Sequence, residues 1–366
     1  MNKSKLTLLL APLVILAGCN SGSSSNNIDK KSVTKPVADY TFSNKELMSL
    51  MSEREEILNS IRINYQGNSY DKILFAENLS EEQLVIKLAD QNNNKIDFML
   101  SSDDEVKCVI YSSNTQVDVF DCDSSTQSTS GESTLIQSTT QLASQPIQVE
   151  FISDAPEYIA SVGSTILTAT QNNNQVDIVT SFSFNDFYRD VFNITDETEK
   201  IHSTLGVTTF LQLSEIVKEN VGTNMIMKFN NDIGGSADDD INMYTGLMIH
   251  NHQMSTVVTP TGSVFSGGTD LFAAGNPRIL QRSNNTDAIE TNEQIGVHSW
   301  SDGQNSAKDI PYTDTSHRKQ ATFFNTVMGE KGIDFYVFTL DAAPFDGAHW
   351  ITKSDSDKYG FITEIQ

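Results

Sequence analysis

Two stretches of the chain place a glycine pair where a buried strand gives way to a helix. The first is Gly234-Gly235, within "KFNNDIGGSADDD" at 228–240. The second is Gly267-Gly268, within "GSVFSGGTDLFAAGNPRI" at 262–279, with Ser266 immediately before it. The start of a helix offers unpaired N–H donors and partial positive charge, and glycine lets that backbone come close to a ligand. Two such turns on neighbouring strands can aim two N–H groups at one carbonyl oxygen. Acyl transfer needs that arrangement, because negative charge develops on this oxygen in the transition state. Ser266 is then either a nucleophile aimed across the pair or a plain helix cap.

The remaining polar residues have simpler readings. Asp238, Asp239 and Asp240 suit a solvated helix start, where they favour the dipole. His250 and His252 are two apart on a helix and point to different sides, which does not suit one metal. No metal and no cofactor is expected. Asp270 sits one helical turn after Ser266, with its burial open. His317 and Arg318 are placed on an exposed helix face, and Trp300 and Trp350 in the core or a pocket wall.

These groups need elements to hold them. From about residue 200 the chain alternates strand and helix, which argues a layered α/β domain. "TTFLQLSEIVKEN" reads as a helix with Phe210, Leu213, Ile216 and Val217 inward, and "MIMKF" and "STVVTP" read as strands. Upstream the pattern differs. Residues 43–62 read as an amphipathic helix capped by Ser43, with Leu47, Leu50, Met51, Leu58 and Ile61 on one face. "KIDFML", "KCVIYS" and "VDVFDC" read as a strand meander. Residues 123–145, rich in Ser, Thr and Gln, read as a linker or long surface loop, and 146–184 as strands around a "QNNNQ" hairpin turn. Residues 39–195 thus form a small α+β module that shows no chemistry. Within it, Cys108 and Cys122 flank a turn centred near Thr115. Placed opposite each other on antiparallel strands, they suit a disulfide; two buried free thiols are the alternative.

The order of motifs over residues 196–366 resembles the Clp-type serine peptidases of the wider Clp/crotonase superfamily. "KFNNDIGGSADD" is similar to their N-x-x-G-G turn after a strand. Ser266 precedes Ala274-Gly275 by the distance that separates their nucleophile from a small-residue ending, and His298 falls in their histidine-bearing strand. "SDSDKYGFITE" at 354–364 resembles their closing segment, and "AKDIPYTDTSHRKQATFFNTVM" at 307–328 falls where they carry a projecting helix. The resemblance implies a spiral of repeated β-β-α turns and a peptide or other acyl substrate. It also implies Ser266 as nucleophile, His298 as general base, and the N–H groups of Gly235 and Gly267 as oxyanion hole. The chain departs at the third member of the triad. Ala348 falls where the aspartate stands, with Asp346 two residues earlier and His349 one later. Asp346 is the preferred partner of the imidazole, because a carboxylate also stabilises the imidazolium; His349 is the alternative. The departure leaves a second reading, a module on the same fold that binds a peptide or carboxylate without cleaving it. A homo-oligomer stays open, since assembly can align sites of this kind.

The N-terminus points to a compartment. "MNKSKLTLLLAPLVILAGC" has Lys3 and Lys5 ahead of an apolar run from Leu6 to Leu16, too short for an ordinary membrane span. Residues 1–19 read as a signal peptide, and Leu16-Ala17-Gly18-Cys19 resembles a bacterial lipobox. That implies acylation of Cys19, attachment to a membrane through the lipid, and residues 20–38 as a flexible tether. Asn20 implies an outer-membrane lipoprotein of a Gram-negative cell envelope, facing the periplasm or the surface. ATP is scarce in the periplasm, so no ATPase partner is expected. A formal net charge of -24 over 366 residues argues against nucleic acid, whose phosphates need a basic patch.

Overall fold

The computed structural model describes residues 34–366 apart from 81, 102–106, 113–114, 122–125, 132, 139–146, 153–157 and 197–198. Residues 1–19, read from sequence as a signal peptide ending at Cys19, therefore lie outside the described residues. The chain divides into two compact units. One spans Met48–Ser164 and Ser183–Glu199; the other holds Thr165–Phe182, Lys200–Gln366 and residues 34–47.

Helix α1 (Asn44–Leu58) begins as expected, with the Glu46 N–H donating to Ser43 Oγ at 3.1 Å. It ends before Ile61, which starts a strand instead. In the first unit, β1 (Ile61–Tyr65), β2 (Asn68–Ser80), β3 (Gln83–Asp90), β4 (Lys95–Ser101), β5 (Lys107–Ser112), β6 (Thr115–Asp121), β7 (Thr126–Ser130), β8 (Ser133–Ser138) and β9 (Ile147–Ile152) form one antiparallel sheet. Its order is β6-β5-β4-β3-β2-β1-β9-β8-β7. Ile63, Ile86, Leu88, Phe98 and Val149 supply its core. The Ser/Thr-rich stretch is strand where it was expected to be loop: β7 and β8 pair with each other, and β8 pairs with β9. Polar β-branched residues fit a strand once a neighbour supplies the ladder. The register of the cysteine strands also differs. The ladder closes on Ser112 and Thr115 and is shifted by a bulge, so Cys108 stands opposite Phe120. Cys122 itself lies outside the described residues.

In the second unit, β10 (Thr165–Asn172) and β11 (Gln175–Phe182) form the hairpin expected at "QNNNQ", with Asn173 at φ +57° in the turn. Short helix α2 (Asn185–Phe192) returns the chain to the first unit. The chain then winds through β12 (His202–Leu205), α3 (Val207–Glu219), β13 (Asn224–Phe229), β14 (Asp232–Ser236), α4 (Asp239–Asn251), β15 (Ser255–Val258), β16 (Ser263–Phe265) and α5 (Gly267–Ala273). It continues through β17 (Arg278–Leu280), β18 (Ile295–Val297), α6 (Thr315–Met328), α7 (Gly332–Ala342), β19 (His349–Trp350), α8 (Lys353–Tyr359) and β20 (Glu364–Ile365). Each turn gives its first strand to a six-stranded sheet, β10-β11-β13-β15-β17-β20. Its second strand goes to a five-stranded sheet, β12-β14-β16-β18-β19. From β13 to β18 successive turns lie parallel in both sheets, and β19 closes the five-stranded sheet antiparallel to β18. This is the layered α/β spiral that the Clp/crotonase resemblance implies.

Two boundaries move. Because β11 pairs in parallel with β13, the hairpin extends the second unit's sheet, so 165–182 does not belong to the N-terminal module. Helix α6 is not a projecting element. Ala321, Phe323, Phe324 and Val327 bury one side of it, and His317, expected on an exposed face, is fully buried. Full burial of each of the phenylalanine and valine side chains stabilises the unit by roughly 1.5–3 kcal/mol. Among the described residues no helix is long and apolar enough to cross a membrane.

Candidate active site

Strand register brings the two glycine turns together. β14 pairs with β16 at Asp232–Ser263 and Ile233–Val264, so the chain leaves both strands at one edge, as Gly235 and Ser266. A Cβ built on Gly235 would lie 3.5 Å from Ser266 Cβ and 3.7 Å from its Oγ, and Gly235 adopts φ +155°. A Cβ on Gly267 would lie 2.4 Å from Ser236 Cβ and 2.9 Å from its backbone nitrogen. Glycine is thus required at 235 by backbone conformation and at 267 by close approach. Asn242 Nδ2 donates to the Gly267 carbonyl at 3.0 Å and fastens α4 to the first turn of α5.

Ser266 adopts φ +53°, ψ −122°, a strained region for an L-residue that costs about 1–3 kcal/mol. It occupies the N-cap position of α5, yet its side chain makes no cap hydrogen bond. The turn is closed by backbone alone: the Thr269 and Asp270 N–H groups donate to the Ser266 carbonyl at 2.9 and 3.3 Å. The plain-cap reading of this serine therefore fails.

β18 pairs with β16 at Val264–Ile295 and Phe265–Gly296, which places His298 beside the Ser266 turn. Thr269 Oγ1 donates to the Gly296 carbonyl at 2.7 Å and ties α5 to that strand. The imidazole packs on the Phe265 ring, centroids 4.6 Å apart. Its Nδ1 lies 2.6 Å from the Phe345 carbonyl oxygen. A carbonyl only accepts, so Nδ1 carries the hydrogen and Nε2 keeps its lone pair. Burial lowers the pKa of His298 below its ordinary value, against a smaller opposing effect of the Phe345 bond. The ring is therefore neutral near pH 7. Among the described residues no hydrogen bond joins Ser266 Oγ to it.

The Phe345 carbonyl takes the place expected for Asp346 or His349. A tight turn, closed by the Gly347 N–H on the Pro344 carbonyl at 3.0 Å, aims the Phe345 carbonyl at the imidazole and leaves Asp346 exposed. His349 lies on β19 opposite Val297, and its Nε2 is engaged with Asp355 at 2.9 Å.

Ser266, Gly267 and His298 line a cleft of about 440 Å³, part of it open to solvent, walled by Trp300, Phe324 and Tyr336. Tyr336 is held in place on both sides. Trp300 Nε1 donates to its hydroxyl at 2.9 Å, and the hydroxyl meets His317 Nδ1 at 2.7 Å. His317 Nε2 in turn donates to the Ala307 carbonyl at 2.9 Å, which explains the buried histidine. Two carboxyls share the cleft, Asp239 and Asp270. Asp239 accepts from Ser236 Oγ at 2.8 Å; burial, aided by repulsion from Asp238 and Asp240, pushes its pKa up to about 6. Burial, then the charge of Asp239, pushes Asp270 well above the usual carboxylate range. Sequence reading assigns neither a role in the site. The available signal was the spacing of Asp270, four residues after Ser266 and so on the same side of the turn.

No family model matches the chain, and no curated protein matches it. Several solved structures are similar to it in backbone. One is DspI of Pseudomonas aeruginosa, at 10% identity and TM-score 0.34, covering 55% of this chain and 68% of that one. Another is an enoyl-CoA hydratase from Bacillus anthracis, at 12% identity and TM-score 0.33, covering 55% and 69%. A third is an enoyl-CoA hydratase from Shewanella pealeana, at 14% and 0.31, covering 55% and 68%. Likeness at this level concerns the fold alone, and none of the site's chemistry is drawn from it.

Proposed function

We propose that the chain is a serine hydrolase, a peptidase or a related acyl-transfer enzyme, tethered in the cell envelope through an acylated Cys19. The observation that carries this reading is Ser266, strained, uncapped and beside a neutral imidazole in the cleft. Strain of this kind persists only where the surroundings over-determine it, and it clusters at functional sites. A strained strand-to-helix turn also lifts a serine hydroxyl clear of its own backbone.

In the proposed reaction Ser266 Oγ attacks the acyl carbon as its proton passes to His298 Nε2. The Gly235 and Gly267 N–H groups stabilise the oxyanion. The imidazolium then gives its proton to the leaving group, and water opens the acyl-enzyme by the same route. Phe345 selects the tautomer that leaves Nε2 basic, a task otherwise performed by the triad carboxylate. A carbonyl dipole stabilises the imidazolium less than a full charge does, so turnover is expected to be slower than with a carboxylate in that place. An envelope location is oxidising, and a Cys108–Cys122 disulfide belongs to the same proposal.

The second reading, a module that binds a peptide or carboxylate without cleaving it, is favoured by the missing Ser266–His298 hydrogen bond. Contacts of this kind can tighten only in the substrate complex. Hydrolysis of 4-nitrophenyl acetate and butyrate by the full chain separates the two. The hydrolase releases a burst of nitrophenol equal to the protein concentration, and Ser266→Ala abolishes it. Ester binding with no burst in the unaltered chain supports the binding module.

A further inference from the structure

Asp239 opens α4 and Asp270 lies in the first turn of α5, and both carboxyls line the cleft that holds Ser266. Their neighbours leave them unneutralised. Lys319 is taken by Asp240 at 2.7 Å and by Glu46 at 3.1 Å. Asp239 has the Ser236 hydroxyl, whereas Asp270 has no side-chain partner among the described residues. No lysine or arginine is among the residues that line the cleft, while Trp300, Phe324 and Tyr336 supply aromatic faces. A partly buried carboxyl pair, one member without a side-chain partner and lining a cavity, suits a cation. Aromatic faces attract the same kind of group.

We propose that the Asp239–Asp270 pair is a specificity site that reads an ammonium or guanidinium group on the substrate. The proposal rests on the cleft being the substrate site of the enzyme described above. Burial raises the pKa of both carboxyls, and the charge of Asp239 raises that of Asp270 further. A bound cation pairs with the carboxyls and favours their ionised form, so its binding releases protons to solvent. Around the pair, the other titratable groups are Asp238 and Asp240 on α4, His298 and the Tyr336 hydroxyl across the cleft, and Lys319 behind Asp240. Lys319 stays paired with Asp240 and is not displaced.

The test compares benzamidine with neutral, near-isosteric benzamide on the full chain by calorimetry, in buffers of different ionisation enthalpy. Benzamidine is expected to bind with proton release and benzamide at least roughly tenfold more weakly, the size of a charged hydrogen bond. Asp270→Asn and Asp239→Asn are each expected to remove most of that preference, with thermal melting as the check on folding. Equal binding of the two compounds by the unaltered chain overturns the proposal and needs no variant. A second arm follows fluorophosphonate labelling of Ser266. Protection by benzamidine but not benzamide supports the proposal, and labelling that ignores both overturns it alone. If no labelling occurs, the hydrolase reading fails, and the calorimetry still decides whether the carboxyl pair binds cations.

Discussion

Replacing Ser266 with glycine and with alanine separates a strained nucleophile from a helix cap. If the φ +53°, ψ −122° geometry is strained, glycine releases about 1–3 kcal/mol. Its unfolded chain gains entropy, which offsets about 0.4–1 kcal/mol of that. Ser266→Gly is therefore expected to leave stability unchanged or raise it by up to about 2.5 kcal/mol. Ser266→Ala keeps the Cβ and with it the strain, and there is no cap bond to lose, so it should fall within about 0.5 kcal/mol of the unaltered chain. A capping serine behaves differently: alanine costs about 1 kcal/mol and glycine a few tenths. The chain has two tryptophans, Trp300 and Trp350, both in the second unit. Their fluorescence reports that unit's unfolding in urea or on heating, where each kcal/mol moves the midpoint by roughly 2–4 °C. An order in which the unaltered chain is most stable and alanine least would refute the strain argument.

Four further outcomes are expected. The rate of Ser266 labelling should rise with pH as His298 loses its proton, with a midpoint below the ordinary 6.5 because burial disfavours the imidazolium. Since Asp239 titrates nearby, the profile should be repeated with Asp239→Asn, and a midpoint above 6.5 in both would contradict the assignment. The same burial of neutral His298 and His317 contributes stability that is intact above the unfolded value and is lost as pH falls below it, which urea titrations at pH 5 and 7.5 would detect. Gly235→Ala forces φ +155° on a residue that rarely adopts it and disturbs the wall beside Ser266, so ester hydrolysis should fall by roughly 10²-fold, as when an oxyanion donor is lost. Unchanged kinetics would remove Gly235 from the oxyanion hole. Cys19→Ser should shift the protein from the membrane fraction to the soluble fraction or stall its processing; a fully processed, membrane-bound variant argues against the lipid anchor.

The parts of this fold legible in the sequence are those where one residue type answers one local demand. Gly235, Gly267 and Ser266 advertise the two turns because close approach and positive φ restrict what can stand there. The 165–182 hairpin is visible because Asn173 tolerates the left-handed turn, but its membership of the second unit depends on pairing with β13, more than forty residues on. Strands β7 and β8 were hidden by polar composition, since their neighbours and not their own residues decide pairing. In the site, the serine and histidine were legible as side chains. The group that orients the histidine was not, because it is a backbone carbonyl and any residue could supply it. The Asp239–Asp270 pair was invisible for another reason. Thirty residues separate its members, and only the register of β14 with β16 sets α4 beside α5. His317 is buried because Tyr336 and the Ala307 carbonyl satisfy it, partners that no local pattern announces.

The most direct measurement of the central claim is covalent trapping by a fluorophosphonate, read by intact mass and peptide mapping of the full, oxidised chain at high concentration. The account predicts one adduct on Ser266, lost in Ser266→Ala. It predicts strong slowing in His298→Ala, because the hydroxyl then lacks its base. Asp346→Ala should label at an unchanged rate, because that side chain is exposed and the Phe345 carbonyl orients the ring. No adduct anywhere between pH 6 and 9, or an adduct at another serine with Ser266 untouched, would contradict it.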